Sequence, residues 1–358
     1  MTRPTARLPK SPLRLPKSPV RLPRSALRLL GLLSSAAGLV LLALAVPRAA
    51  GTDWAAVRSH LGHISGPQVA LMCGLAGAAL WSYTYVLGAA LPGLTLRQAL
   101  WMNCTGSAVS NLLPLGGGAG VAVTYAMARG WGHPPRAVAV CVALTGVCNV
   151  AARLVLSAVG ALLLAGTPVP GIGWAAAAGG VVLVLPVVLA AAWPAVRHRR
   201  RAPGTHRRTA PAGAPGRLVG RARRSAARLR DESRDVVRRS WARLLCGMSA
   251  TLGAQGALFL ACLHATDSRT GTGDALAVFA ASRLLTQIAV TPGGIGVTEC
   301  AAAVALVALG GAPTAVASAM LLFATFTHLL EIPLGALTGA LWLLRAGRRR
   351  PAPAPAAP

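Results

Sequence analysis

An all-α integral membrane protein is the fold class that this sequence predicts, and three observations predict it. Only 12% of the 358 residues are charged, where a soluble domain carries about a quarter. Mean hydropathy is +0.58. Several apolar runs reach the roughly 18 residues that a helix needs to cross a bilayer core, and none alternates as a membrane β-strand does.

The net charge of +28 is large but local. Eight basic residues precede Leu29, 16 lie in 197–243 and 4 follow Leu344, with few acidic residues among them. In a membrane protein, basic clusters of this kind hold loops and termini on the cytoplasmic side and against anionic lipid. They therefore predict a multi-pass inner-membrane protein with both termini cytoplasmic and membrane lipids as partners. Nucleic acid is not an expected partner.

Five regions follow in order. Residues 1–28 form a disordered basic arm built on the repeat RLPKSPL, RLPKSPV, RLPRSAL, whose prolines exclude helix. Residues 29–196 form a first membrane half, with runs at 29–46, 67–91, 138–165 and 172–195. The first run, after a basic region, has the look of a signal peptide, but its length and the topology favour an uncleaved span. Residues 197–243 form a basic cytoplasmic loop whose second part carries the charge pattern of an interfacial helix. Residues 244–345 form a second half, with runs at 244–265, 275–291, 297–311 and 315–344. Residues 346–358 are a disordered Pro/Ala tail.

Cytoplasmic clusters on either side of each half require an even number of crossings. The clear runs supply about six helices. Segments 98–128 and 275–311 must then be re-entrant hairpins, or complete eight spans by crossing fully. Both carry the same punctuation, SNLLPLGGGAGVAVTY at 110–125 and QIAVTPGGIGVTECAA at 287–302. Broken segments at matching places in halves of opposite topology predict an inverted repeat, the architecture of many transporters. Ordinary turns between full spans are the alternative reading.

Candidate site residues cluster at these breaks. Pro114 and Pro292 end half-helices. Gly116, Gly117, Gly118, Gly293, Gly294 and Gly296 permit positive φ and close helix approach. The half-helix that follows starts with free N–H groups and a positive dipole end, suited to an anionic headgroup. Asn111 precedes the first break. Arg153, with Asn149 one turn before it, and Arg283, with Gln287 one turn on, lie inside apolar runs. Glu299 follows the second break, and His328 and Glu331 share a face of the last run. An ionisable group at the bilayer centre costs about 2.5–3.5 kcal/mol or more. These residues therefore either pair structurally, Glu299 with Arg283 for example, or line a polar cavity that admits a headgroup.

The seven cysteines lie in apolar segments without a CxxC pair or a His cluster, so neither disulfides nor a metal is expected. No cofactor is expected either. No nucleophile motif, P-loop or HExxH appears, and the protein is not expected to be an enzyme.

The run RLLTQIAVTPGGIGVTE (283–299), an Arg-bearing helix leading to PGGIGxxE, resembles the transmembrane region of the lysylphosphatidylglycerol synthase family. The glycine-rich element and YAMARGWG (125–132) stand at that family's other characteristic place. The resemblance implies a flippase-like membrane domain that moves an amphipathic lipid, such as an aminoacylated phospholipid or a polyprenyl-linked sugar, between leaflets. It also implies partnership with a lipid-modifying or glycosyl-transferring enzyme. Many relatives carry an arginine and an acidic residue at the first element, where Leu115 and Gly116–Gly118 stand here, so the headgroup class stays open. No aminoacyl-transferase domain follows the last span in this sequence, and synthesis of lysyl lipid is not expected of it. A membrane-embedded lipid-phosphate transferase and a non-transporting scaffold are the other two readings.

Overall fold

The computed structural model describes residues 40, 42–113, 116–165, 214–287 and 294–347, and every regular element among them is helical. The arm, the tail, the run 172–195, Pro114 and the stretch holding Pro292 and Gly293 lie outside the described residues. A helix at 42–50 (α1) leads into Trp54–Leu61 (α2), capped by the Asp53 carboxylate, which accepts from the Ala56 N–H at 2.8 Å. Gly66–Ala90 (α3) starts with Pro67 in its first turn, and the Ser65 N–H donates to Gln68 at 2.8 Å.

The first doubtful segment is two helices, Leu96–Leu112 (α4) and Gly116–Gly130 (α5). Thr95 and Gln98 cap α4 reciprocally. At 17 and 15 residues, both fall short of the roughly 20 that a full crossing takes. Pro135–Ala165 (α6) begins on a proline. Ala214–Ala265 (α7) joins the basic stretch and the run 244–265 in one unbroken helix of 52 residues.

The second doubtful segment is again interrupted. Thr272–Ser282 (α8) gives way to a 3₁₀ turn at Leu285–Gln287, and the chain resumes as Val297–Ala308 (α9) after positive-φ glycines at 294 and 296. The last run, expected to be continuous, has an interruption of its own. Pro313–Ala324 (α10) passes through a π-turn at Thr325–Leu329 into Glu331–Gly347 (α11). The cause is Pro333: it has no N–H for the Leu329 carbonyl, so the helix widens there and the Leu330 N–H reaches back five residues to Thr325 at 2.9 Å.

Among the described residues, four stretches are long and apolar enough to cross a membrane: Gly66–Ala90, Pro135–Leu164, Leu229–Ala265 and Pro313–Arg345. Helix α3 packs on α7, α11 on α4, α4 on α5, and α6 on α8. Small residues bring these backbones together. A Cβ at Gly160 of α6 would lie 2.6 Å from the Ala277 carbonyl oxygen of α8, and one at Gly335 of α11 would collide with the Cys104 carbonyl of α4.

The core is divided in two. One cluster gathers Met72, Leu164, Leu258, Phe279, Leu306 and Phe323, and the other gathers Val86, Met102, Met127, Cys141, Leu144 and Met248. Helices α3, α6 and α7 each contribute to both clusters from opposite ends. What lies between the clusters is therefore partway along the apolar stretches of these helices.

Overpacking the α6–α8 contact should lower stability by about 1–3 kcal/mol. Gly160→Ala is expected to reduce the unfolding temperature in detergent. Gly74→Ala, where an added Cβ meets nothing within 4 Å, should leave it unchanged or slightly raised.

Candidate functional site

Between the two apolar clusters lies a cavity of about 460 Å³. Each long helix turns polar at this level. Tyr83 of α3 stands between Ala76 and Val86, Asn149 and Arg153 of α6 between Leu144 and Leu164, and Thr251 and Gln255 of α7 between Met248 and Leu258. His328 and Glu331 do the same in the last span. Gly117, at the start of α5, and Gly294, just before α9, also border the cavity, so both interrupted segments reach it.

Arg153 is held from two sides. Its Nε donates to the Asn149 side chain one turn earlier at 3.1 Å, and an Nη donates to the Thr286 hydroxyl at 2.6 Å. That hydroxyl donates in turn to the Arg283 carbonyl at 2.6 Å. Arg153 and the end of α8 are thereby tied together across the bundle.

Arg283 is only 4% exposed and, among the described residues, has no carboxylate within ion-pair distance. Its guanidinium lies over Phe279 at 4.6 Å and Phe323 at 5.4 Å from the ring centroids. Those rings, with Phe259, pack edge-on and tilted at 5.2–6.3 Å between centroids. Desolvated cation–π contact of this kind is worth about 2 kcal/mol and holds a cation where no carboxylate meets it. The Arg283 Nε still lacks a hydrogen-bond partner.

The second break is built by glycine and closed by Glu299. Gly294 (φ 78°) and Gly296 (φ 87°) adopt the left-handed conformation that L side chains avoid. The Glu299 carboxylate accepts from the Gly296 N–H at 2.7 Å, capping α9 from its own first turn. The expected pairing of Glu299 with Arg283 is not what is found. Its other oxygen, Oε1, lies 3.6 Å from His328 Nε2, and Arg283 rests on the phenyl rings. The expectation that the glycine turn offers free N–H groups is corrected at Gly296, whose N–H is already occupied by Glu299. On the opposite wall, Asn111 Nδ2 donates to Glu331 Oε2 at 3.0 Å and approaches the His328 carbonyl at 3.5 Å. Asn111 thus joins the end of α4 to the last span.

Of the sequence-derived residues, Asn111, Gly117, Arg153, Arg283, Gly294, His328 and Glu331 line one cavity. Glu299 stands behind His328 at 1% exposure, and Gly296 caps α9. Gln287 closes the 3₁₀ turn. Gly116 and Gly118 belong to the first turn of α5. Close helix approach in this hairpin falls at Gly120 instead, where a Cβ would meet the Gly106 carbonyl oxygen at 2.7 Å. Gln255, Thr286 and Thr327 line the cavity as well, and sequence reasoning did not single them out. Thr286 was legible as the polar residue between Arg283 and Gln287. Thr327 belongs to the π-turn that Pro333 signals.

Four buried polar atoms among the described residues have no hydrogen-bond partner: Gln255 Oε1, Arg283 Nε, Glu299 Oε1 and Thr327 Oγ1. Three of these side chains line the cavity and the fourth backs onto it through His328. Buried polar groups are ordinarily satisfied, so this concentration sets the cavity apart from the rest of the described interior.

The family description of the lysylphosphatidylglycerol synthase TM region matches residues 28–335, which span both interrupted segments and nearly all of the four long stretches. The chain belongs to that family. No curated protein matches it. In this lysylphosphatidylglycerol synthase TM-region protein, the motif that carries the resemblance is therefore also the segment that brings Arg283 and Gly294 to the cavity and sets Glu299 behind His328.

The Arg153–Thr286 contact should be measurable as a coupling. A cycle of Arg153→Met, Thr286→Val and the double variant is expected to give an interaction energy of about 0.5–3 kcal/mol in detergent unfolding. Strict additivity would mean that the contact does not hold α6 to the second break.

Proposed function

We propose that this protein is a flippase-like transporter that moves an amphipathic, phosphate-bearing lipid between the leaflets of the cell membrane. The observation that carries the proposal is the mid-bundle cavity, with two guanidinium groups on its wall and three unsatisfied polar side chains around it. Irregular backbone at membrane depth is tolerated where it is buried in protein or lines a polar space, and both interrupted segments border this one.

The roles follow from position. Arg153 and Arg283 attract the phosphate, and guanidinium suits it because its fork of donors matches the anion's oxygens. Asn111, Thr327 and Gln255 offer hydrogen bonds to the rest of the headgroup, while the acyl chains stay in the bilayer. The two interrupted segments act as re-entrant hairpins of an inverted repeat, and both termini face the cytoplasm. The basic arm and the start of α7 lie against anionic lipid, within reach of a lipid-modifying or glycosyl-transferring enzyme. We read the protein as a transporter rather than a transferase. Of the two buried carboxylates, Glu299 is shielded by His328, and Glu331, which lines the cavity with His328, already accepts from Asn111.

Fluorescent anionic, aminoacylated and polyprenyl-phosphate lipids reconstituted with the purified protein test this. Wild-type protein is expected to exchange at least one of them between leaflets. A charge-assisted hydrogen bond is worth about 1.5–3 kcal/mol, so Arg283→Gln and Arg153→Gln should each weaken apparent affinity roughly ten- to hundredfold. Absence of exchange for all three lipids, from protein that remains folded, would count against transport.

A further inference from the structure

Recognition of a phosphate leaves one feature of the cavity without a task, namely the pair His328 and Glu299. Glu299 is 1% exposed, at a depth where an uncompensated carboxylate is costly. Among the described residues its ion-pair partner is His328, at 3.6 Å from Oε1, and that oxygen accepts no hydrogen bond. The His328 side chain is 13% exposed and borders the cavity, whereas Glu299 does not. His328 therefore stands between the cavity and a buried carboxylate. It does so on a π-turn, a helix distortion found frequently at functional sites.

Charge balance in this corner requires a proton. With the imidazole protonated, His328 neutralises Glu299, and Arg283 is free to stay on its phenyl rings facing the cavity. With the imidazole neutral, Glu299 needs another cation. Arg283 is the buried cation at the end of α8, which packs on the α9 that carries Glu299, so it is the cation that Glu299 would draw. A proton on the pair thus releases Arg283 for a phosphate, and loss of that proton takes Arg283 back. The other titratable or charged groups near the pair are Cys300, the residue after Glu299 on α9, Glu331, three positions past His328, and, lining the same cavity, Arg283, Arg153 and Tyr83.

We propose that His328 and Glu299 bind a proton between them and carry it together with the phosphate-bearing headgroup, so that a proton gradient drives lipid movement. The proposal rests on the transport reading above. The proton arrives from the cavity at the His328 imidazole, is shared between Nε2 and Glu299 Oε1, and leaves through the imidazole to the other side. For a singly charged headgroup the joint step moves no net charge.

Proteoliposomes with a pH difference across the membrane and a clamped potential test it, using fluorescent phosphatidylglycerol, with protein-free vesicles as the control. One pH unit supports at most about tenfold lipid enrichment in the leaflet facing the alkaline compartment. Wild-type protein is expected to produce several-fold more enrichment than the protein-free vesicles show, and His328→Gln and Glu299→Gln to bring the ratio between leaflets to one. The ratio is read within each variant, so a slower overall rate does not obscure it, and one folded variant of the two suffices. Wild-type exchange that ignores the gradient would overturn coupling and leave the transport reading standing. No exchange at any pH would sink both. Enrichment that survives in either variant would overturn the assignment to this pair. Gradient-driven uptake of inorganic phosphate, without lipid enrichment, would overturn the lipid as the cargo.

Discussion

A guanidinium in the middle of a membrane helix bundle must be met by something, and the way Arg283 is met organises this protein. No carboxylate holds it. Phe279 and Phe323 lie under its charge, while its Nε is left unsatisfied at the cavity wall. A salt bridge would have stabilised the empty protein and closed the site. Aromatic contact keeps the charge at depth, and apart from one hydrogen bond from an Nη to the Ser282 hydroxyl at 3.3 Å it leaves the Nε donor unsatisfied. The chain has four phenylalanines, and three of them build this support, so the arrangement is specific rather than general apolar filling.

The interruptions of regular helix serve the same end. An unbroken helix satisfies its own backbone and presents side chains alone. The positive-φ glycines at 294 and 296 reverse the chain so that Arg283 and Glu299, 16 positions apart, reach one corner of the bundle. Pro333 widens the last span and sets His328 against Glu299. Two apolar clusters, one toward each end of the long helices, then hold the polar level between them. Apolar packing is concentrated toward the two ends of these helices and polar groups between them.

Much of this was legible in the sequence because the bilayer imposes strong rules. Apolar run length placed α3, α6 and the apolar part of α7, and Pro/Gly punctuation located both interrupted segments. The cost of charge at depth singled out Arg153, Arg283, Glu299, His328 and Glu331, and most of them meet at one cavity. Pairing was not legible. Glu299 was expected to face Arg283, but helical spacing says nothing about which of two nearby cations a carboxylate meets across a glycine turn. The π-turn was missed because Pro333 was read as part of a continuous run, although a proline two residues after Glu331 removes an interior hydrogen bond. The glycine contact was misplaced by a few residues. Gly116–Gly118 form the more visible cluster, yet Gly120 faces α4, a matter of helical phase that composition does not reveal.

The account stands on the cavity being polar, wet and open to solutes halfway through the bundle, and cysteine accessibility tests this most directly. In a background lacking native cysteines, Ser107→Cys and Asn149→Cys place thiols at the cavity, and Ser318→Cys places one at a fully buried position. A membrane-impermeant maleimide is predicted to label the first two in intact proteoliposomes and to spare the third, with labelling slowed by a short-chain phosphate lipid. Failure to label either cavity position in folded protein would contradict the account, since a dry core offers a headgroup neither water nor a path.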